Sequence, residues 1–119
     1  MQFLLLIYDK EQRWSQGYDP KEMAEYGQFG NQFAGAIKGG NALQPTGTAK
    51  TVRVRGGKQL TTDGPFAETK EQLGGFYLID VKNIEEAVAI AASIPAARYG
   101  SVEVRPILVF AKSETSAAD

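Results

Sequence analysis

Residues 2–8, QFLLLIY, limit the possible folds more than any other stretch of the chain. Read as a strand, Phe3, Leu5 and Ile7 point to one side and Leu4, Leu6 and Tyr8 to the other. Both sides are apolar, so a sheet that contains this strand needs cover on both faces. GFYLIDV, residues 75–81, has the same two-sided character.

The rest of the pattern supplies cover for one face. Asp19-Pro20-Lys21-Glu22 is a helix start, with Asp at the cap, Pro at the first helical position and Glu three residues after the cap. Met23, Tyr26, Phe29 or Gly30, Phe33 and Ile37 recur at helical spacing and predict a helix to about Lys38, stopped by Gly39-Gly40. Asn83-Ile84-Glu85-Glu86 repeats the cap logic. It opens a second helix to about Ile94 with Ala87, Val88, Ala91 and Ile94 as its core face.

Between the helices, TAKTVRVR, Gly56-Gly57 and KQLTT read as a β-hairpin, after a short extended piece at Ala42–Gln44. SVEVRPILVF is the last strand. The order β-α-β-β-α-β is the ferredoxin-like split pattern: an antiparallel sheet with both helices on one face. Something has to cover the other face, and the economical answer is a second copy, sheet against sheet, so a homodimer is expected. Residues 1–111 read as one domain and 112–119 as a polar tail.

Composition removes several chemistries. The chain has 119 residues, no cysteine and no histidine. Disulfides, thiolate nucleophiles, a Ser-His-Asp arrangement and a conventional zinc site are therefore outside its reach. No metal and no cofactor is expected. Any proton carrier has to be a carboxylate, Tyr or Lys. A net charge of −1 with interspersed signs provides no basic field for nucleic acid. No apolar run approaches a membrane span, and Phe3–Tyr8 is too short for a signal core, so a cytoplasmic protein is expected.

One corner carries candidate chemistry. Asp63-Gly64-Pro65-Phe66 are turn formers, and turn chemistry accounts for them: Asp accepts backbone N–H bonds, Pro fixes its own φ, and Phe buries a ring. A functional role would place the Asp63 carboxylate at a pocket mouth, as a base or as a partner for a cationic or hydroxylated ligand. Lys70, in AETKE, either belongs to a solvated charged turn or pairs with a carboxylate near that pocket. Arg98 and Tyr99 lie where a loop approaches the rim. Arg105 shares a strand face with Glu103, which either meets water or faces a second subunit.

DGPFAETKEQLGGFYLID (63–80), followed by IPAARYGSVEVRPI (94–107), resembles the DGPF (DGPFAETKE) branch of the YCII-related family, and LLIYDKEQRW (5–14) is similar to that family's start. The resemblance implies the dimeric α/β-barrel fold. It also implies a suspected activity around a histidine–aspartate pair, which a chain without histidine departs from. Linkage of the branch to alternative sigma factors in bacterial genomes implies a regulatory or accessory role. Two functional classes follow. One is a homodimeric accessory protein whose small-ligand cleft uses Asp63, Phe66, Lys70, Arg98, Tyr99 and Arg105. The other is a cofactor-free isomerase or lyase with Asp63 as the base and Arg98 or Arg105 stabilising an enolate-like charge.

Overall fold

The computed structural model describes residues 1–110. The expected polar tail at 112–119 lies outside the described residues. Four strands form the main antiparallel sheet: β1 (Gln2–Asp9), β2 (Ile37–Ala42), β5 (Gln72–Asp80) and β6 (Ser101–Pro106), in the order β2-β5-β1-β6. Helices α1 (Pro20–Gln32) and α2 (Ile84–Ala92) connect them. Strands β3 (Lys50–Arg55) and β4 (Lys58–Asp63) form a separate two-stranded ribbon. Without that ribbon the order is the ferredoxin-like one.

The two faces of β1 have different neighbours. Phe3, Leu5 and Ile7 are buried with Ile79 of β5, Phe29 of α1, and Ala87, Ile90, Ala91 and Ile94 in and beside α2. Leu4 and Leu6 stand opposite Leu78 and Phe76 on the face without helices, and all four are only half-buried. Glu103 and Arg105 of β6 share that open face, opposite Leu6 and Leu4, and are ion-paired to each other. Tyr8 donates its hydroxyl to Glu103 at 3.4 Å.

Three expectations need correction. Helix α1 ends at Gln32 with Phe33 as its C-cap, well before Lys38. The following Ile37–Ala42 is the edge strand β2, so Gly39-Gly40 does not stop a helix. Gly40 is required there by close approach: a Cβ would lie 2.7 Å from the Phe76 carbonyl oxygen of β5. In α2, Val88 is exposed and Ile90 is buried in its place, because Ala87, Ile90, Ala91 and Ile94 follow the i, i+3, i+4, i+7 stripe. Phe66, expected to bury its ring, is 78 % exposed.

The caps are as the spacing predicts, with one difference. Asp19 accepts the Lys21 N–H at 3.1 Å, and Asn83 accepts the Glu86 N–H at 2.9 Å. Glu22, placed to complete a capping box, instead turns its carboxylate to Arg13. No helix among the described residues is long and apolar enough to cross a membrane.

Candidate functional site

Strand β1 runs into the site. Its alternation carries Phe3, Leu5 and Ile7 inward, and the next inward position is Asp9, which is buried. The chain then turns through a short 3-10 segment, Glu11–Arg13, and Arg13 folds back over the strand end. Arg13 donates from Nε and Nη2 to Asp9 Oδ2 at 2.9 and 2.7 Å, and from Nη1 and Nη2 to the two Glu22 oxygens at 3.1 and 3.0 Å. One guanidinium thus holds two carboxylates, from the end of β1 and the first turn of α1.

These groups are well removed from water. The Asp9 and Glu22 side chains are 5 % and 10 % exposed, and Arg13 is 28 % exposed. The Lys10 backbone N–H adds a third bond to Asp9, at 2.7 Å from Oδ1. The Asp9 bond, and then the Glu22 bond, push Arg13 further above its ordinary value, so it stays protonated at any relevant pH. The Tyr99 ring covers the guanidinium, with Arg13 Cζ 4.0 Å from its centroid.

The cluster forms the polar wall of a cavity of about 290 Å³ between the helix-covered sheet face and α1. Aromatic side chains supply much of the remaining lining: Trp14, Tyr18, Tyr26 and Tyr77. Trp14 is buried and stacks on Tyr18, ring centroids 5.8 Å apart at 13°. A bulge leaves Gly74 unpaired between the Ile7–Gly75 and Tyr8–Leu73 pairs, and the Trp14 indole lies against it; a Cβ there would sit 3.3 Å from the ring. Burial raises the Tyr26 hydroxyl well above the ordinary phenol range, with the Glu22 charge adding to it. Burial also raises Tyr77, and burial followed by Glu22 raises Tyr18. All three stay neutral phenols. The described residues contain no group of three or more side chains suited to hold a metal ion.

The residues singled out in the sequence are dispersed. Of the six, only Tyr99 touches the cluster. Asp63 ends β4, is 84 % exposed and pairs with Lys50 across the ribbon. Phe66 and Lys70 are exposed on the following loop. Arg98 pairs with Glu25 of α1, and its guanidinium lies 5.3 Å from the Tyr99 centroid. Arg105 lies on the open sheet face. The site residues that went unnoticed, Asp9, Arg13 and Glu22, carried a usable signal. Asp9 continues the inward parity of Phe3, Leu5 and Ile7, and Glu22 begins the stripe Glu22, Tyr26, Phe29, Phe33.

A four-stranded antiparallel sheet in this order, with both helices on one face and a cavity between layers, defines a ferredoxin-like α+β protein. The chain belongs to the YCII-related domain family, whose model matches residues 1–111. An uncharacterised protein of Rhizobium meliloti (strain 1021) is 38 % identical over 121 residues, covering 96 % of this chain and 98 % of that protein. The fold is similar to that of 5-chloro-2-hydroxyhydroquinone dehydrochlorinase from Burkholderia phenoliruptrix AC1100, solved in complex with 2,5-dihydroxybenzoquinone. The TM-score is 0.52 at 14 % identity, over 92 % of this chain and 96 % of that one.

Proposed function

We propose that this protein is a homodimer that binds a small aromatic molecule bearing a cationic or hydroxyl group in the Asp9–Arg13–Glu22 cavity, in a regulatory or accessory role. One observation carries the ligand class: two carboxylates share a single guanidinium inside an aromatic-walled cavity. The wall therefore keeps a net charge of −1 and unused acceptor lone pairs. A hydroxyl or ammonium donor satisfies both, and the neutral phenols and the indole offer π-faces to a ring or a cation. An anionic ligand is disfavoured. The pairing is supported by the half-buried Leu4, Leu6, Phe76 and Leu78 on the face without helices, which a second copy would cover.

The test is calorimetric titration with tyramine (cationic phenol), 4-methylphenol (neutral) and 4-hydroxybenzoate (anionic), with native mass spectrometry for subunit count and co-purified mass. The first two should bind and the third should not, and Asp9→Asn should weaken tyramine most. Asp63→Ala run beside it separates this cavity from a ligand cleft at the DGPF corner, where Asp63, Phe66, Lys70 and Arg105 would act only once a second subunit closed it. Binding lost in Asp63→Ala and retained in Asp9→Asn would transfer the site to that corner. No binding of any probe and no added mass would overturn the ligand-binding reading.

A second reading, a cofactor-free enzyme moving a proton with a carboxylate, draws support from the dehydrochlorinase neighbour, whose bound ligand is a hydroxylated ring. Both carboxylates already direct oxygens at Arg13, which favours holding a donor over removing a proton. Slow exchange of ring or α-carbon hydrogen into deuterated water, catalysed by the protein and abolished in Asp9→Asn, would favour the enzyme.

A further inference from the structure

We propose that the β3–β4 ribbon is an intermolecular arm that lies on the acidic body of a second copy of this chain. The inference rests on the homodimer reading and adds to it a specific contact. Within the described residues the two strands pair with each other and make no extended contact with another strand or helix. Every residue from Val52 to Asp63 is exposed. Val52 and Val54, 57 % and 62 % exposed, share one ribbon face with Thr61 and Gln59 opposite them. A lone two-stranded ribbon is marginal in water, and one that presents a valine stripe to solvent lacks a packing partner.

The ribbon is nevertheless built to hold its shape. Gly56 and Gly57, at φ +59° and +75°, form the two-residue turn whose twist matches the strands. Its root is fixed by Gly64 N–H to the Ala49 carbonyl at 2.7 Å and by the Thr51 hydroxyl to the Gly64 carbonyl at 2.9 Å. The result is a preformed arm, not a slack loop.

Charge selects the partner. Residues 50–63 contain Lys50, Arg53, Arg55 and Lys58 against Asp63, a net +3; with −1 for the whole chain, the remainder carries −4. The described residues outside the arm carry −3 of this, so the body of a second copy is complementary in charge to the arm, and it also offers the open sheet face with Leu4, Leu6 and Leu78. In a twofold dimer each subunit both gives and receives an arm.

The test compares the wild-type protein with a variant in which residues 51–62 are replaced by Gly-Gly, possible because Lys50 and Asp63 stand opposite each other. Val52→Glu/Val54→Glu retains the ribbon and serves as the milder variant. Sedimentation velocity should show the dimer Kd rising at least about tenfold in both variants. Raising salt from about 0.05 to about 0.5 M should weaken the wild-type dimer more than the shortened one. Independently, Gln59→Cys in this cysteine-free chain carries a photo-crosslinker in a mixture of light and heavy isotope-labelled protein. Mixed-isotope cross-links are expected. A wild-type dimer whose Kd is unchanged by both variants, with only same-isotope cross-links, overturns the arm and leaves the dimer standing. A monomeric wild type overturns both.

Discussion

Replacing Arg13 with Gln tests the proposed site at its electrostatic centre. The variant loses four side-chain hydrogen bonds and leaves Asp9 and Glu22 facing each other at 5 % and 10 % exposure. Removing one partner from a buried ion pair costs about 3–5 kcal/mol. Arg13 keeps 28 % of its side chain in water, which places this case near about 3 kcal/mol. With a urea m-value of about 1–3 kcal/mol/M, the unfolding midpoint should fall by about 1–3 M at pH 7.

The pH dependence provides the sharper check. In the variant, burial and mutual repulsion would raise a folded-state carboxyl above its unfolded value of about 4. A raised folded value contributes stability that is present below the unfolded value and lost as pH rises through the folded one. The deficit relative to wild type should therefore be small near pH 4 and grow toward pH 7. Parallel urea melts at the two pH values, followed by Trp14 fluorescence, measure it. An equal deficit at both, or one under about 1 kcal/mol, would refute the claim that Arg13 compensates two buried charges.

Three further outcomes follow from the packing. Gly100→Ala puts a Cβ hard against the Tyr8 carbonyl oxygen, next to Asp9, and should cost about 1–3 kcal/mol in urea unfolding; an unchanged midpoint would mean the strand end is not held there. Asp63→Ala removes an ion pair with Lys50 in which both side chains are largely exposed, so monomer stability should change by less than about 1 kcal/mol; a larger loss in the same assay would give Asp63 a structural role not visible in one chain. Burial raises Tyr26 and Tyr77, so the unfolded chain ionises first above about pH 10 and stability falls as pH climbs beyond that point. Tyr26→Phe should move the alkaline unfolding midpoint, followed by phenolate absorbance, upward; no movement would contradict its burial.

Much of the frame was legible in the chain. Two-sided strands at residues 2–8 and 75–81, the caps at Asp19 and Asn83, and the glycine turn at 56–57 each depend on neighbours close in sequence, so local pattern reports them. Strand β2 was not legible, because IKGGNA has little intrinsic strand preference and becomes a strand only by pairing along β5. The bulge at Gly74 is likewise a property of two strands and cannot be read from one.

The candidate site divides in the same way. Parity along β1 places Asp9 inward, and the α1 stripe includes Glu22; both facts are in the sequence. That one guanidinium from the connecting turn holds both, under Tyr99 from a turn near the far end of the chain, is decided only when β1, α1 and the 95–98 turn are packed together. Composition fixed the available chemistry at carboxylates, amines and phenols, because no histidine or cysteine is present. Which carboxylates are withdrawn from water, and which, like Asp63, remain in it, was decided by tertiary structure alone, since desolvation is a property of surroundings that distant segments supply.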